Sequence, residues 1–178
     1  MRITGGEWRG RRLPELKGFR GRPTTDFGRE GLFNLLSSRV ELKGAHVLDL
    51  FAGTGMVSLE FLSRGAASVT AIEQAPKACR FAMEQANHLG SEDLTTICTD
   101  VWNFISKPLT QFDLIFADPP YDMPRIVELP NKIHQSGLLG EGGWFILEHG
   151  ERIELTSIPG YQLTRHYGHV HFSLFNFD

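Results

Sequence analysis

The stretch Val47-Leu48-Asp49-Leu50-Phe51-Ala52-Gly53-Thr54-Gly55 decides the fold. It runs from an apolar segment through an acid into two closely spaced glycines, and residues 56–64 then carry a helical pattern. That order reads as a buried strand, a tight turn and a helix. Glycines permit the turn and let a ligand approach the backbone, while a carboxylate at the strand end can receive a charged donor. A nicotinamide-binding G-x-G-x-x-G would place its third glycine at position 58, where this chain has Ser58. The dinucleotide reading weakens, and a lone G-x-G needs companions before it means more than a turn.

Working outward, short apolar runs bounded by turn residues recur at 46–50, 68–72, 94–98, 112–117 and 144–148. Helical patterns lie between them at 56–64, 76–89, 101–106 and 125–136, the last interrupted by Pro130. Alternation of this kind predicts an α/β fold with a parallel sheet covered on both faces. An extra helix is expected over 26–38, with Thr24, Thr25 or Asp26 as its cap. At the other end, 161–166 and 170–177 alternate around Tyr167-Gly168-His169, an antiparallel hairpin added to the sheet edge. A mixed seven-stranded Rossmann-like sheet closed by an antiparallel pair is the class I methyltransferase architecture. Nicotinamide-binding domains continue instead with parallel strands.

The companions of the glycine turn are acids at successive strand ends. Glu73 ends the second strand, where a carboxylate can accept both hydroxyls of a ribose, and Asp100 ends the third, placed for an adenine amino group. Phe51 and Val101, which adjoin the first and third of these strand ends, are assigned to the same crevice. Singly, an acid at a strand end is commonplace; three in order ring the carboxyl edge of the sheet, where open α/β sheets bind ligands.

The fourth strand ends in Asp118-Pro119-Pro120-Tyr121. Pro119 holds Asp118 extended, both prolines fix their own φ and offer carbonyls without N–H groups, and Tyr121 follows as an aromatic plate. An exocyclic amine on a base is a poor nucleophile because its lone pair is delocalised into the ring. If Asp118 and a proline carbonyl accept the two amino hydrogens, the nitrogen is drawn toward tetrahedral geometry and its lone pair turns to a sulfonium methyl. A charge-assisted hydrogen bond of this kind contributes about 1.5 to 3 kcal/mol. Tyr121 would hold the base by stacking, worth roughly 1 to 3 kcal/mol. Catalysis is therefore expected from Asp118, Pro119 and Tyr121, with no metal and no covalent intermediate.

Composition bounds the rest. The chain has 178 residues, 41% of them hydrophobic and 22% charged, as ordinary single globular domains do. No apolar run approaches the roughly 20 residues of a membrane span. The segment after Met1 has no apolar signal core, and Cys79 and Cys98 form no C-x-x-C pair, so a cytoplasmic protein without a disulfide framework is expected. The net charge of −3 conceals an asymmetry: residues 1–22 hold seven Arg or Lys against two Glu, leaving 11 basic and 19 acidic residues in 23–178. A polyanion would be met by this basic arm, through Arg2, Arg9, Arg11, Arg12 and Arg22. By charge alone a solvated basic tail explains it equally well. Trp8, Trp102 and Trp144 are read as packing residues, with Trp8 the one that could touch RNA. His166, His169 and His171 are read as hairpin histidines, the last two on one strand face. Arg29 and Glu30 form either a helix-surface pair or a contact near the cofactor.

Taken together, the residues resemble the RsmD-type 16S ribosomal RNA guanine-N2 methyltransferases, over nearly the whole chain. Arg2-Ile3-Thr4-Gly5-Gly6 with Gly10-Arg11-Arg12-Leu13 is similar to that family's opening hairpin. Arg22-Pro23-Thr24-Thr25-Asp26, Arg29-Glu30 and Leu32-Phe33-Asn34 resemble its signature helix, and Leu48 to Gly55, Ser63-Arg64-Gly65-Ala66 and the Asp-Pro-Pro-Tyr motif complete the pattern. Gly28 and Gly31 depart from the larger residues usual in that helix. The resemblance implies S-adenosylmethionine as donor and S-adenosylhomocysteine as product. As acceptor it implies a guanine of 16S rRNA, within a small ribosomal subunit or assembly particle. It would set Asp49, Gly53 and Gly55 against the methionine portion, Glu73 against the ribose, Asp100 against the adenine, and Asp118 and Tyr121 against guanine. A monomer with no membrane partner is expected. Two alternatives stay open: an adenine-N6 DNA methyltransferase, and a non-catalytic RNA-binding or ribosome assembly factor.

Overall fold

The computed structural model describes residues 1–19, 25–107 and 110–178. Its centre is one seven-stranded sheet built from β1 (His46–Leu50), β2 (Ser68–Glu73), β3 (Leu94–Cys98), β4 (Phe112–Ala117), β5 (Leu139–His149), β6 (Tyr161–Tyr167) and β7 (Val170–Phe175). The strand order is β3-β2-β1-β4-β5-β7-β6. The first five strands are parallel, and β7 enters antiparallel between β5 and β6. The chain moves outward from β1 to β3, then returns to lay β4 on the other side of β1. This reversal opens a crevice at the carboxyl ends of β1 and β4.

Among the described residues five α-helices cover the sheet: α1 (Asp26–Leu36), α2 (Met56–Ser63), α3 (Pro76–His88), α4 (Val101–Ile105) and α5 (Leu129–Ser136). Two apolar clusters form, one beneath α1, α2 and α3 and one beneath α4 and α5. β1 and β4 feed both, which is why they are buried without alternation from Val47 to Leu50 and from Leu114 to Ala117. The helix expected over 125–136 is divided: a 3-10 turn spans Ile126–Glu128, and the α-helix starts afresh at Leu129 with Pro130 in its first turn. There its missing N–H costs nothing. β5 begins five residues before the expected 144, because its pairing with β4 jumps from Phe112↔Leu139 to Leu114↔Trp144 across a glycine-rich bulge.

Thr25, rather than Thr24 or Asp26, caps α1, accepting from the Gly28 N–H at 3.1 Å; Thr24 lies outside the described residues. Gly31 has a clear purpose: a methyl group there would lie 2.5 Å from the Tyr167 ring, so its hydrogen lets α1 press against β6. The turn of the terminal hairpin is Gly168-His169 alone, so His169 does not share a strand face with His171. Instead His171 is registered against His149 on one side and His166 on the other.

The amino-terminal arm is docked, not free. Its hairpin is reduced to a single bridge, Arg2↔Arg12, because neighbouring donors are diverted to α2. The Thr4 N–H and hydroxyl bind the Glu60 carboxylate, the Glu7 N–H binds the Ser63 carbonyl, and the Ser63 hydroxyl bridges Gly5 and Trp8. Ile3, Trp8 and Leu13 join the core, so Trp8 is a packing residue. Arg29 is 1% exposed, donating to the Arg2 carbonyl at 2.7 Å and Asp26 at 2.6 Å, with its Nε 3.8 Å from Glu60. It ties α1 to α2 and the arm, and, being buried, does not form an exposed helix-surface pair with Glu30. Glu30 stays exposed near Arg2.

Glu60 therefore anchors three segments through one fully buried carboxylate. Glu60→Ala is expected to destabilise the protein by about 3 to 5 kcal/mol, because it removes the buried acceptor of the Thr4 N–H and hydroxyl and of Arg64 and takes away a charge beside the buried Arg29; equilibrium urea unfolding measures this.

Candidate active site

The first strand end is shaped by backbone geometry. Phe51 adopts φ 63°, the one non-glycine residue with positive φ among those described, and Gly53 and Gly55 follow at φ 54° and 77°. Gly55 is the N-cap of α2, and a side chain there would meet Ala82 of α3 at 2.6 Å. The turn is held from below and from the side. The Glu73 carboxylate accepts the N–H of Gly53 at 3.0 Å through one oxygen and that of Ala75 at 2.8 Å through the other. The last residue of β2 thereby fixes the loop after β1, while each oxygen keeps a lone pair for a further donor.

Asp49 lies one layer deeper. It is 1% exposed and accepts the Ser58 hydroxyl at 2.5 Å. The residue that breaks the nicotinamide fingerprint is thus the partner of the strand-end acid. Burial pushes the Asp49 carboxyl up to about 7, and the negative charges of Asp118 and Glu73 add to the rise. Asp49 lies buried beneath the turn, bonded to α2 through Ser58. Asp100 caps α4 by accepting the Asn103 N–H at 3.1 Å, leaving its second oxygen available, and Val101 is buried behind it.

β4 delivers Asp118, half-buried, and Pro119, buried, beside β1, with the Asp118 N–H donating to the Leu50 carbonyl at 3.3 Å. Tyr121 is 48% exposed. Its hydroxyl donates to Glu148 Oε1 at 3.1 Å. Glu148, near the end of β5, is 2% exposed, and burial with the Asp118 charge pushes it up to about 8. Sequence reasoning placed Glu148 on a strand and gave it no role. The signal was present: Glu148 is one more acid at the end of a parallel strand.

Phe19 was also missed. Its ring lies 3.5 Å from where a methyl group on Gly53 would stand, and the Lys77 ammonium reaches the Lys17 carbonyl at 2.8 Å. The arm therefore ends over the glycine turn. Of the basic residues expected to meet a polyanion, Arg9, Arg11 and Arg12 are exposed, whereas Arg2 pairs with Asp26 at 2.9 Å. Arg22 lies outside the described residues. Cys79 donates to the Glu73 carbonyl, and burial with the adjacent Cys98 pushes its thiol up to about 12, far from nucleophilic.

What the arrangement offers is a rigid glycine turn, acids at five parallel strand ends, and an aromatic plate at the switch point. A family model described as conserved hypothetical protein 95 matches residues 1–176. Ribosomal RNA small subunit methyltransferase D of Escherichia coli (strain K12) is 33% identical over 159 residues, 89% of this chain and 79% of that protein. Among solved structures, the Escherichia coli protein yhhF superposes with a TM-score of 0.85 at 28% identity, covering 98% of this chain and 96% of its own. A protein of Thermus thermophilus gives 0.83 at 29% identity, covering 99% of each chain.

The raised carboxyls have a consequence for stability. Asp49 and Glu148 hold protons in the folded protein at pH values where the unfolded chain has lost them. The stabilisation is complete below pH 4 and is lost as pH rises through 7 and 8. His149, held low chiefly by burial, acts in the opposite direction, and only as pH falls below its ordinary 6.5. Between pH 6.5 and 8.5 the unfolding free energy should therefore fall, by at most about 1.4 kcal/mol per pH unit for each carboxyl, and the melting temperature with it. The Asp49→Asn, Glu148→Gln double variant should flatten that slope in a thermal-denaturation series.

Proposed function

The chain belongs to the conserved hypothetical protein 95 family, that of the RsmD methyltransferases, and from this we propose that it methylates the exocyclic N2 of a guanine in small-subunit ribosomal RNA, with S-adenosylmethionine as donor. The observation that carries the reading is the placement of Asp118-Pro119-Pro120-Tyr121 at the switch point, where Asp118 and Glu73 both bear electrostatically on Asp49.

The crevice fits a cationic donor. Among the described residues no salt bridge neutralises Asp49, Glu73, Asp100 or Glu148, so a bound positive charge would relieve the repulsion from Asp118 and Glu73 that adds to the effect of burial on Asp49. When bound, S-adenosylmethionine supplies an electrophilic methyl group on sulfur. Glu73 would accept the ribose hydroxyls with the lone pairs left by Gly53 and Ala75. Asp100 and the Val101 N–H, at the first turn of α4, would take the adenine. Phe51, Gly53 and Gly55 would shape the wall, and Asp49 would act through its charge from beneath.

On the acceptor side Asp118 and the Pro119 carbonyl would hold the two amino hydrogens, and Asp118 would offset the positive charge that grows on nitrogen. Tyr121 would stack on the base. Arg9, Arg11 and Arg12, exposed on a docked arm, would meet phosphates of the same RNA. The substrate would be an assembled particle, met in the cytoplasm by a monomer.

Incubation with labelled donor and small subunits lacking the modification should label a guanine of their RNA; label in DNA alone would overturn the assignment. Asp118→Ala should lower turnover at least ~100-fold while donor binding by calorimetry is kept. Replacing Arg9, Arg11 and Arg12 by Ala should weaken RNA binding and reduce its log–log salt slope by roughly 0.7 to 0.9 for each phosphate that is no longer neutralised.

A further inference from the structure

The Glu148 carboxyl is the buried acid that the mechanism above does not use. Oε1 accepts from Tyr121, but Oε2 is buried with no hydrogen-bond partner. Leaving such an atom unpaired is costly in a folded protein, and sites that keep one do so where a ligand completes it. The position of Oε2 says which ligand. β4 and β5 are parallel, with Ala117 registered against Leu147, so the next residues, Asp118 and Glu148, are neighbours one strand spacing apart. Asp118 faces the exocyclic amine, and Glu148 therefore faces whatever the base presents beside it.

Bases differ at that position. Guanine carries a ring N–H next to its amine, whereas adenine and cytosine carry a bare ring nitrogen, an acceptor. Two adjacent carboxylates match two adjacent donors and repel a donor paired with an acceptor. We infer that Glu148 is a specificity-determining residue, accepting the ring N–H of the target guanine at Oε2 and rejecting bases that offer the same amine beside a bare nitrogen. This rests on the function proposed above and supplies the discrimination that the Asp-Pro-Pro-Tyr acceptors lack on their own.

The raised affinity of Glu148 for a proton agrees with this. Among the described residues, the ionisable groups that face it are Asp118 and Tyr121 of the β4 loop; on β7 its register partner is Phe172, and His149 turns to Ser173 and Gly150. In the free protein a proton occupies the place that the guanine N–H takes, and a donor hydrogen bond there favours the charged carboxylate. Base binding therefore releases that proton. Tyr121, half exposed and bonded to Oε1, is the side chain that must shift for the base to enter.

The test uses 2-aminopurine, which keeps the guanine amine but has a bare ring nitrogen beside it. Once the methylated nucleotide has been mapped, small subunits are reconstituted with 16S rRNA carrying guanosine or 2-aminopurine there, and kcat/KM is measured with the full chain. The wild type should prefer guanosine by about 100-fold or more. Glu148→Gln, whose amide can donate as well as accept, should reduce that preference to about 10-fold or less. Equal use of both bases by the wild type, or full preference retained by a folded Glu148→Gln that still binds donor, would overturn the inference and leave the functional reading intact. Failure of the wild type to methylate any guanine of the particle would remove both.

Discussion

Parallel strands that begin on one side of a sheet must end on the other, and in this protein nearly every one of them ends in an acid. Asp49, Glu73, Asp100, Asp118 and Glu148 are gathered at the carboxyl edge by that geometry alone. Like charges brought together in a low dielectric must be stabilised by donors, by protons or by a cation. The molecule uses the first two: the Ser58 hydroxyl for Asp49, backbone N–H groups for Glu73 and Asp100, the Tyr121 hydroxyl and a held proton for Glu148. The third is what a sulfonium donor would contribute. Repulsion left over in the free protein would thus favour binding of such a cation.

Two buried glutamates show how partnering separates scaffold from site. Glu60 is fully enclosed, and donors from Thr4 and Arg64 use both of its oxygens, with Arg29 nearby. Its work is finished on folding: it seats the arm on α2 and leaves Arg9, Arg11 and Arg12 outward. Glu148 is buried almost as deeply but is satisfied on one oxygen only. The same residue type thus serves rigidity in one place and recognition in the other, and only the number of donors it receives distinguishes them. The arm links the two regions, since it is anchored at Glu60 and ends with Phe19 over Gly53.

The strands at 46–50, 94–98 and 112–117 were legible to the residue: β1 and β4 as buried, mostly apolar runs, and β3, an edge strand with Thr95 and Ile97 exposed, as a short run rich in β-branched residues between turn residues. β5 was legible only from 144 onward: its first part carries Gly140, Gly142 and Gly143 through a bulge, and a bulge has no alternation to detect. Pro130 signalled a break correctly but not its form, a 3-10 turn feeding a new helix. Gly31 looked like a weak point in a helix and is instead the contact that admits Tyr167.

In the candidate site, the sequence by itself determined the residues whose role follows from local order: the glycine turn, the acids closing β1 to β3, and the Asp-Pro-Pro-Tyr loop. Each is read from what immediately precedes it along the chain. Tertiary structure alone decided the pairings across the chain: Ser58 with Asp49, Glu73 with Gly53, Tyr121 with Glu148, Arg29 with the Arg2 carbonyl. It also paired Arg2 with Asp26 of α1. Hydrogen bonding between residues 9 to 27 positions apart is fixed by strand register and helix docking, and neither is written in the spacing of the residues that meet.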